Sequence, residues 1–444
     1  MLQPYRDVLA RPGALAFSSA GVVARMPMSM VGIGIVLMVE ALYGSYGLAG
    51  RVSAVFVVAQ AACSPQIARF VDRYGQARVM RPAVLVSAAG IVLLVLAATQ
   101  RAHPVWLYAA AVLAGSTIGS FGALVRARWT HALGEDPRGV HTAFSLESAL
   151  DELVFVIGPV LATVLATSVA PAAGLVVPVV AMVVGGIWFL AQRPTEPPAT
   201  GTLPVADRPR GSVLRSPGMV VLVVVFIAMG AIFGATDVST VAFAEEVGRP
   251  GMAGVVLAVF ALGSLLSGLL YGARHWASPV HRRFAIGVIA LAFGVCAFFL
   301  AQSLTVLAVV MFVVGFSIAP TLINGNALVQ GLVPAGRLTE GLTWVSTALG
   351  VGVSVGSSVA GSRIDAAGAH AGFLVVVVAA AAALVATLVA LPVLRPRAGS
   401  RAPAPDAPGQ RRVEDLSPSA TGGATVAACE TAAQAAPRPG APHA

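Results

Sequence analysis

The sequence predicts an all-α membrane protein of twelve transmembrane helices, arranged as two pseudo-symmetric six-helix bundles. Three observations predict it. Of the 444 residues, 57% are apolar and only 11% are Asp, Glu, Lys or Arg; a soluble domain is roughly a quarter charged. The mean hydropathy is +0.86. The apolar residues are also gathered into twelve runs, split six and six by one long polar break.

A run of roughly 18 or more apolar residues can cross a bilayer core. Such runs occupy residues 14–39, 48–67, 82–99, 105–125, 143–166 and 171–191, then 218–243, 252–271, 284–300, 304–322, 341–359 and 371–394. Inside lipid every backbone N–H and C=O needs a partner within the protein, so a run is a helix or a strand of a closed barrel. Barrel strands alternate apolar and polar residues; stretches such as "IVLLVLAA" do not. The first run is longer than the core of a secretory signal, and a second follows closely, so it is read as a retained span. Little remains outside the spans to form a soluble catalytic domain, and the protein is expected not to be an enzyme.

The break at 192–215, "QRPTEPPATGTLPVADRPRGSVLR", is rich in Pro, Gly and charge and reads as a linker. The predicted units are an N-terminal bundle (1–191), the linker (192–215), a C-terminal bundle (216–395) and a tail (396–444). The Pro, Ala, Gly and Ser of the tail cannot bury a core, so it is expected to be disordered. Cys63 and Cys296 lie in spans and Cys429 in the tail, without metal-ligand spacing. Neither metal nor cofactor is expected.

All 28 basic residues are Arg, and the net charge is +9. Such a balance can mark a nucleic-acid binder, but here the positive-inside rule accounts for it. With the N-terminus inside, 23 Arg fall on the inner side and four outside, while Arg25 lies within the membrane. Both termini are therefore expected in the cytoplasm, in a multi-pass protein of the inner (plasma) membrane whose large partner is the bilayer, not nucleic acid.

A faint repeat runs through the chain. "GLLYGAR" (268–274) ends the eighth span as "ARFVDR" ends the second. "GSRIDAAG" (361–368) ends the eleventh, and its Gly, Asp and Gly are spaced as Ala68, Asp72 and Gly75 are. These loops are equivalent if each half consists of two inverted three-helix units, a nesting found in one large transporter fold.

Twelve spans, a central linker and "ARFVDRYGQAR" after the second span resemble the major facilitator superfamily in its bacterial twelve-helix form. Its signature in that loop is G-x-x-x-D-R-x-G-R-R. Asp72, Arg73 and Gly75 match; Ala68 stands for the first glycine, Gln76 and Ala77 replace the basic pair, and Arg78 follows. The residues have physical work of their own. Gly75 permits a tight turn, the arginines hold the loop inside, and Asp72 can pair with a cation or a helix N-terminus. The resemblance implies that Asp72 latches onto the start of the eleventh helix, near 338–341, and favours an outward-open state. The alternative is a loop with a topological role only.

Ionisable residues inside spans cost about 2.5–3.5 kcal/mol on insertion scales and so mark partners or function. Arg25 lies at least about 16 Å from either end of its span at 1.5 Å per residue, with Pro27 just after it. It holds an anion or coupling acid in a cavity, or it forms a buried ion pair. Glu147 and Asp151 are four apart and share a helix face. They can carry a proton, or form a cytoplasmic gate with Arg126 and Arg128, which Glu152 joins. Gly158 and Pro159 resemble the centre of the antiporter signature G-x-x-x-G-P-x-x-G-G; alone they mark a bend. The Arg that such exporters carry deep in the fourth span is missing.

Asp237, near Gly230 and Gly234, is a candidate cavity group for substrate or a cation. Asn326 and Gln330 share a face of the tenth span beside Asn324; they line a pocket or join helices. Trp344 is a pocket wall or filler, and Gly350, Gly352 and Gly356 are expected to allow close packing. There is no phosphate-binding G-x-x-x-x-G-K-[ST]. The expected activity is alternating-access secondary transport, in the form of proton-coupled efflux of a small organic molecule by a monomer. Uptake or facilitated passage is the alternative, and a membrane sensor or enzyme is the rival from another class.

Overall fold

The computed structural model describes residues 3–204 and 211–394. The expected tail, 396–444, lies outside the described residues, as does the middle of the linker. The described residues contain twelve helices long and apolar enough to cross a membrane. After a short helix α1 (Gln3–Leu9) come α2 (Ala14–Tyr43), α3 (Tyr46–Tyr74), α4 (Gln76–Thr99), α5 (Pro104–Thr117), α6 (Phe121–Leu133), α7 (Pro137–Ser168) and α8 (Ala173–Ala191). Two 3-10 turns, Arg193–Thr195 and Thr200–Thr202, open the linker. The second half runs α9 (Pro217–Glu246), α10 (Ala253–Gly272), α11 (Val280–Cys296), α12 (Leu304–Leu332), α13 (Leu338–Ala367) and α14 (Ala369–Val389).

Local chemistry sets the ends. Ser45 caps α3 by accepting from the Leu48 N–H at 3.2 Å. Asp136 caps α7 through the N–H groups of Arg138 and Gly139, at 3.1 and 3.0 Å. One residue, Gly75 at φ +96°, separates α3 from α4, and one, Gly368 at φ +80°, separates α13 from α14. Only glycine holds that conformation without strain. A glutamate sits over each turn: Glu196 Oε1 accepts from the Ala77 N–H at 3.0 Å, and Glu246 Oε1 from the Ala369 N–H at 2.6 Å.

The fourth span departs from the single run read from sequence. It breaks at 118–120 into α5 and α6. Before the break, the Ser116 and Thr117 hydroxyls both donate back to the Leu113 carbonyl, at 3.1 and 2.9 Å, in competition with the helix ladder. The second piece continues to Leu133 and so carries Arg126, Arg128 and Trp129 on a helix.

The helices pack into two groups, each with its own core. One core includes Phe17, Phe56, Trp129, Phe144 and Phe189; the other includes Phe226, Phe284, Phe298, Met311 and Phe373. In the second, α9 and α13 touch backbone to backbone. A Cβ on Gly352 would lie 2.0 Å from the Ile227 carbonyl, and one on Gly356 would lie 2.2 Å from that of Ala231. Gly350 does not share this role, because it faces open space.

The ends bearing the α3–α4 turn, the linker and most of the arginines form one face, here the arginine-rich face. The two bundles join there. Thr142 donates to the Gly272 carbonyl at 3.0 Å and Gln330 to Thr130 at 2.9 Å. Tyr5 donates to the Leu269 carbonyl at 2.6 Å, and burial pushes its phenol up to about 12. Ala319 and Ile323 of α12 pack into the other bundle's core. Between the faces, the Ser264 hydroxyl of α10 donates to Glu152 of α7 at 2.6 Å.

Candidate functional site: a buried ion cluster and a bundle-to-bundle latch

The first turn of α13 offers free backbone N–H groups. The carboxylate of Asp72, at the end of α3, takes two of them. Its Oδ1 accepts from the Thr339 N–H at 3.3 Å and its Oδ2 from that of Glu340 at 2.8 Å. The anion therefore sits at the positive end of the α13 dipole. The contact crosses the seam between bundles, and can persist only while the arginine-rich ends stay together.

The remaining signature residues do different work. Arg73 and Arg78 are exposed, and Arg73 lies over the Tyr74 ring at 5.1 Å. Gln76, where the signature has a basic residue, is buried and accepts from Arg128 Nε at 2.8 Å. The linker braces the turn, since Thr200 donates to the Asp72 carbonyl at 3.0 Å.

The second group lies among α2, α6 and α7. Arg25 is 2% exposed and Glu147 is fully buried. The Arg25 guanidinium bonds Glu147 Oε2 at 2.5 Å through Nη2 and Asp151 Oδ1 at 2.6 Å through Nη1. Its Nε donates to the Gly21 carbonyl at 3.0 Å. Glu147 Oε1 accepts from Ser18 and from Trp129 Nε1, each at 2.7 Å. Asp151 Oδ2 meets Arg126 Nη2 at 2.9 Å. Two cations and two carboxylates thus neutralise one another. Asp151 is the accessible member, its side chain 22% exposed. A proton on either carboxylate would leave a buried cation short of a partner, a costly condition unless something else moves.

Two expected members lie elsewhere. Arg128 does not face Glu147 or Asp151. It lies 3.8 Å above the Phe189 ring, donates to Gln76, Thr195 and the Gln192 carbonyl, and ties α6 to the linker. Arg126 and Arg128 are two residues apart, about 200° around a helix, and cannot share a partner face. Glu152 turns from the cluster toward Ser264. Of the amides, Gln330 bridges the bundles, Asn326 Nδ2 donates to its own helix at the Leu322 carbonyl, and Asn324 Nδ2 donates to Tyr271 at 2.8 Å. Trp344 packs against the second core. Asp237 is exposed and has no hydrogen-bond or ion-pair partner among the described residues. α7 runs on through Pro159, and Gly158 leaves room for Ser29 of α2, whose hydroxyl donates to the Val154 carbonyl at 2.9 Å. Trp129, Ser18 and Glu196 are absent from the sequence reading. Only Trp129 left a signal there, three residues from Arg126 and so on a neighbouring stripe of its helix.

Twelve spanning helices in two bundles joined at one face, with an ion cluster buried between spans, define a multi-pass helical membrane protein. The sequence profile of the Major Facilitator Superfamily matches residues 17–274 and 238–435, and the chain belongs to that family. No curated protein matches it by sequence. Among solved structures it is similar to a bacterial homologue of the iron transporter ferroportin in the outward-facing state. The TM-score is 0.67 at 16% identity, over 86% of this chain and 98% of that one. It is also similar to the human organic anion transporter MFSD10 (TETRAN), with a TM-score of 0.64 at the same identity and coverage. At that identity the likeness speaks for the fold.

Proposed function

We propose that the protein is a proton-coupled exporter of a small organic molecule, working as a monomer by alternating access in the plasma membrane. In this reading the arginine-rich face is cytoplasmic, with both termini and the linker there, as the distribution of 28 arginines supports. The N-terminal bundle, 1–191, and the C-terminal bundle, 216–395, rock about a central cavity. The latch from Asp72 to α13 holds the cytoplasmic end shut.

The observation that carries the proposal is the clamping of Arg25 by both Glu147 and Asp151. Protonation of Asp151, its accessible member, weakens the hold on Arg25 and Arg126 together. The strain is relieved when α2 and α6 shift against α7. A proton entering from outside thereby biases the bundles toward the other state, the differential interaction that coupling requires.

Proteoliposomes with an imposed pH gradient test it. Wild type should accelerate efflux of at least one compound from a panel of small organic molecules, and the Glu147→Gln, Asp151→Asn double variant should lose the response to the gradient. Full gradient-driven exchange by that variant would overturn the coupling role.

A further inference from the structure

The turn between α13 and α14 lies at the far end of the spans, away from the arginine-rich face, and repeats the build of the turn that carries the latch. Asp365 stands three residues before Gly368, as Asp72 stands three before Gly75. Both glycines have positive φ, and a Cβ on either would lie 2.8 Å from Oε1 of the glutamate above it, Glu246 or Glu196. The two acids differ in one respect. Asp72 holds the start of α13, whereas Asp365 is exposed and joins no ion pair among the described residues.

From the latch, α3 and α13 run antiparallel, and each turns one stripe toward the other. At 100° per residue, Ala68, Pro65, Val58, Ala54, Gly50 and Arg51 lie within about 60° of Asp72. Thr343, Thr347, Ser354, Ser358, Gly361 and Asp365 lie within about the same angle of Glu340. The opposite side of each helix packs inside its own bundle, α3 through Phe56 on Gly115 and α13 through Gly352 and Gly356 on α9. Burial fades along both stripes. Ala68, Pro65, Glu340 and Thr343 are buried near the latch, while Val58, Ala54, Ser354 and Ser358 are exposed beyond it. A Cβ on Gly50 or Gly361 would meet nothing within 4 Å. The pair is a wedge, closed at the arginine-rich face and open at the far end.

The charges at the open end are placed to meet. Arg51 precedes Asp72 by 21 residues and Asp365 follows Glu340 by 25, about 32 and 38 Å along the two helices. Side chains lean toward the N-terminus of their helix, which is the far end for α3 and the latch end for α13. Arg51 therefore leans outward and Asp365 inward, and the difference in depth of about 6 Å narrows between them. Of the four arginines at that end, Arg101 and Arg249 lie in connections and Arg363 on α13 itself; Arg51 is the one on the helix opposite. Its Nε donates to Tyr108 at 3.2 Å, and it joins no ion pair among the described residues. Resting on the alternating-access reading above, we propose that Arg51 and Asp365 form a second latch. They pair when the far ends close and the Asp72 latch is released, so that α3 and α13 work as a lever held at one end at a time.

The test uses the full chain in nanodiscs, in the background without Cys63, Cys296 and Cys429, with neither ligand nor gradient. Gly50→Cys and Gly361→Cys place thiols at nearly the same depth, and a short bis-thiosulfonate cross-linker traps closure of the far end. Asp72→Asn should speed cross-linking. In that background Arg51→Gln or Asp365→Asn should slow it about two- to fivefold, the range of an exposed ion pair. Both together should slow it no further than either alone. The swap Arg51→Asp, Asp365→Arg should restore the rate, with thermal midpoints near wild type throughout. Cross-linking that ignores the neutral variants, or a swap as slow as they are, would overturn the second latch and leave alternating access standing. Absence of cross-linking in every variant would overturn both.

Discussion

Asp72 Oδ2 accepts a hydrogen bond from the backbone N–H of Glu340 at 2.8 Å, and these two residues belong to different bundles. A charged acceptor at a helix N-terminus is worth about 1.5–3 kcal/mol as a hydrogen bond. In Asp72→Asn one carbonyl oxygen remains, but the charge and the second acceptor are gone. The arginine-rich end should open more often, by roughly tenfold or more. Maleimide labelling of a cysteine placed at Ala319, buried at the seam, reads this directly in a background without Cys63, Cys296 and Cys429. Unchanged labelling would remove the latch from the mechanism.

The Arg25 cluster makes a stability prediction of its own. Removing one partner of a buried ion pair costs about 3–5 kcal/mol, because the other charge stays behind. Glu147→Gln and Arg25→Met should each destabilise strongly. The double variant leaves the Asp151–Arg126 pair neutral and intact. Its loss should fall well short of the sum, with a coupling of about 0.5–3 kcal/mol typical of contacting residues. Thermal unfolding of the four proteins closes the cycle. Additive losses would mean that Arg25 and Glu147 do not act as a pair.

How much of this was legible in the sequence differs by kind of residue. Spans, Asp72 and the trio Arg25, Glu147 and Asp151 stood out because a charge in or beside an apolar run is costly and rare. Which charges meet was less legible. The sequence makes Arg128 a gate partner, yet a rotation of two residues turns it toward Gln76 and the linker. Glu152 next to Asp151 points across the seam for the same reason. The break at 118–120 arises from hydroxyls that compete for a carbonyl, which hydropathy does not register. Glu196 could not be found at all, since a Pro-rich linker gives no hint of the surface it will dock on.

Gly350 and Gly356 lie on the same helix, α13, yet have opposite surroundings. Gly356→Ala places a Cβ 2.2 Å from the Ala231 carbonyl, against rigid backbone. It should push α9 and α13 apart and lower the thermal midpoint or the monodisperse yield. Gly350→Ala meets nothing within 4 Å and should be neutral or stabilising, up to about 1 kcal/mol from helix propensity alone. Equal damage from both would mean that the α9–α13 contact is looser than these distances require.

Glu152 and Ser264 meet at 2.6 Å, with the hydroxyl as donor. The groups around them are few: Asp151 is the neighbouring charge, and it is engaged by Arg25 and Arg126. If Glu152 serves as an acceptor that helps close the seam, its charge is not needed. Glu152→Gln keeps a carbonyl for Ser264 and should label at the Ala319 cysteine as wild type does. Glu152→Leu and Ser264→Ala lose the bond, worth about 0.5–1.5 kcal/mol net, and should label a few-fold faster. Combining them should add little, because one bond cannot be lost twice. Should Glu152→Gln instead behave like Glu152→Leu, the seam depends on the acid itself, and its proton joins those of Glu147 and Asp151 in the coupling scheme.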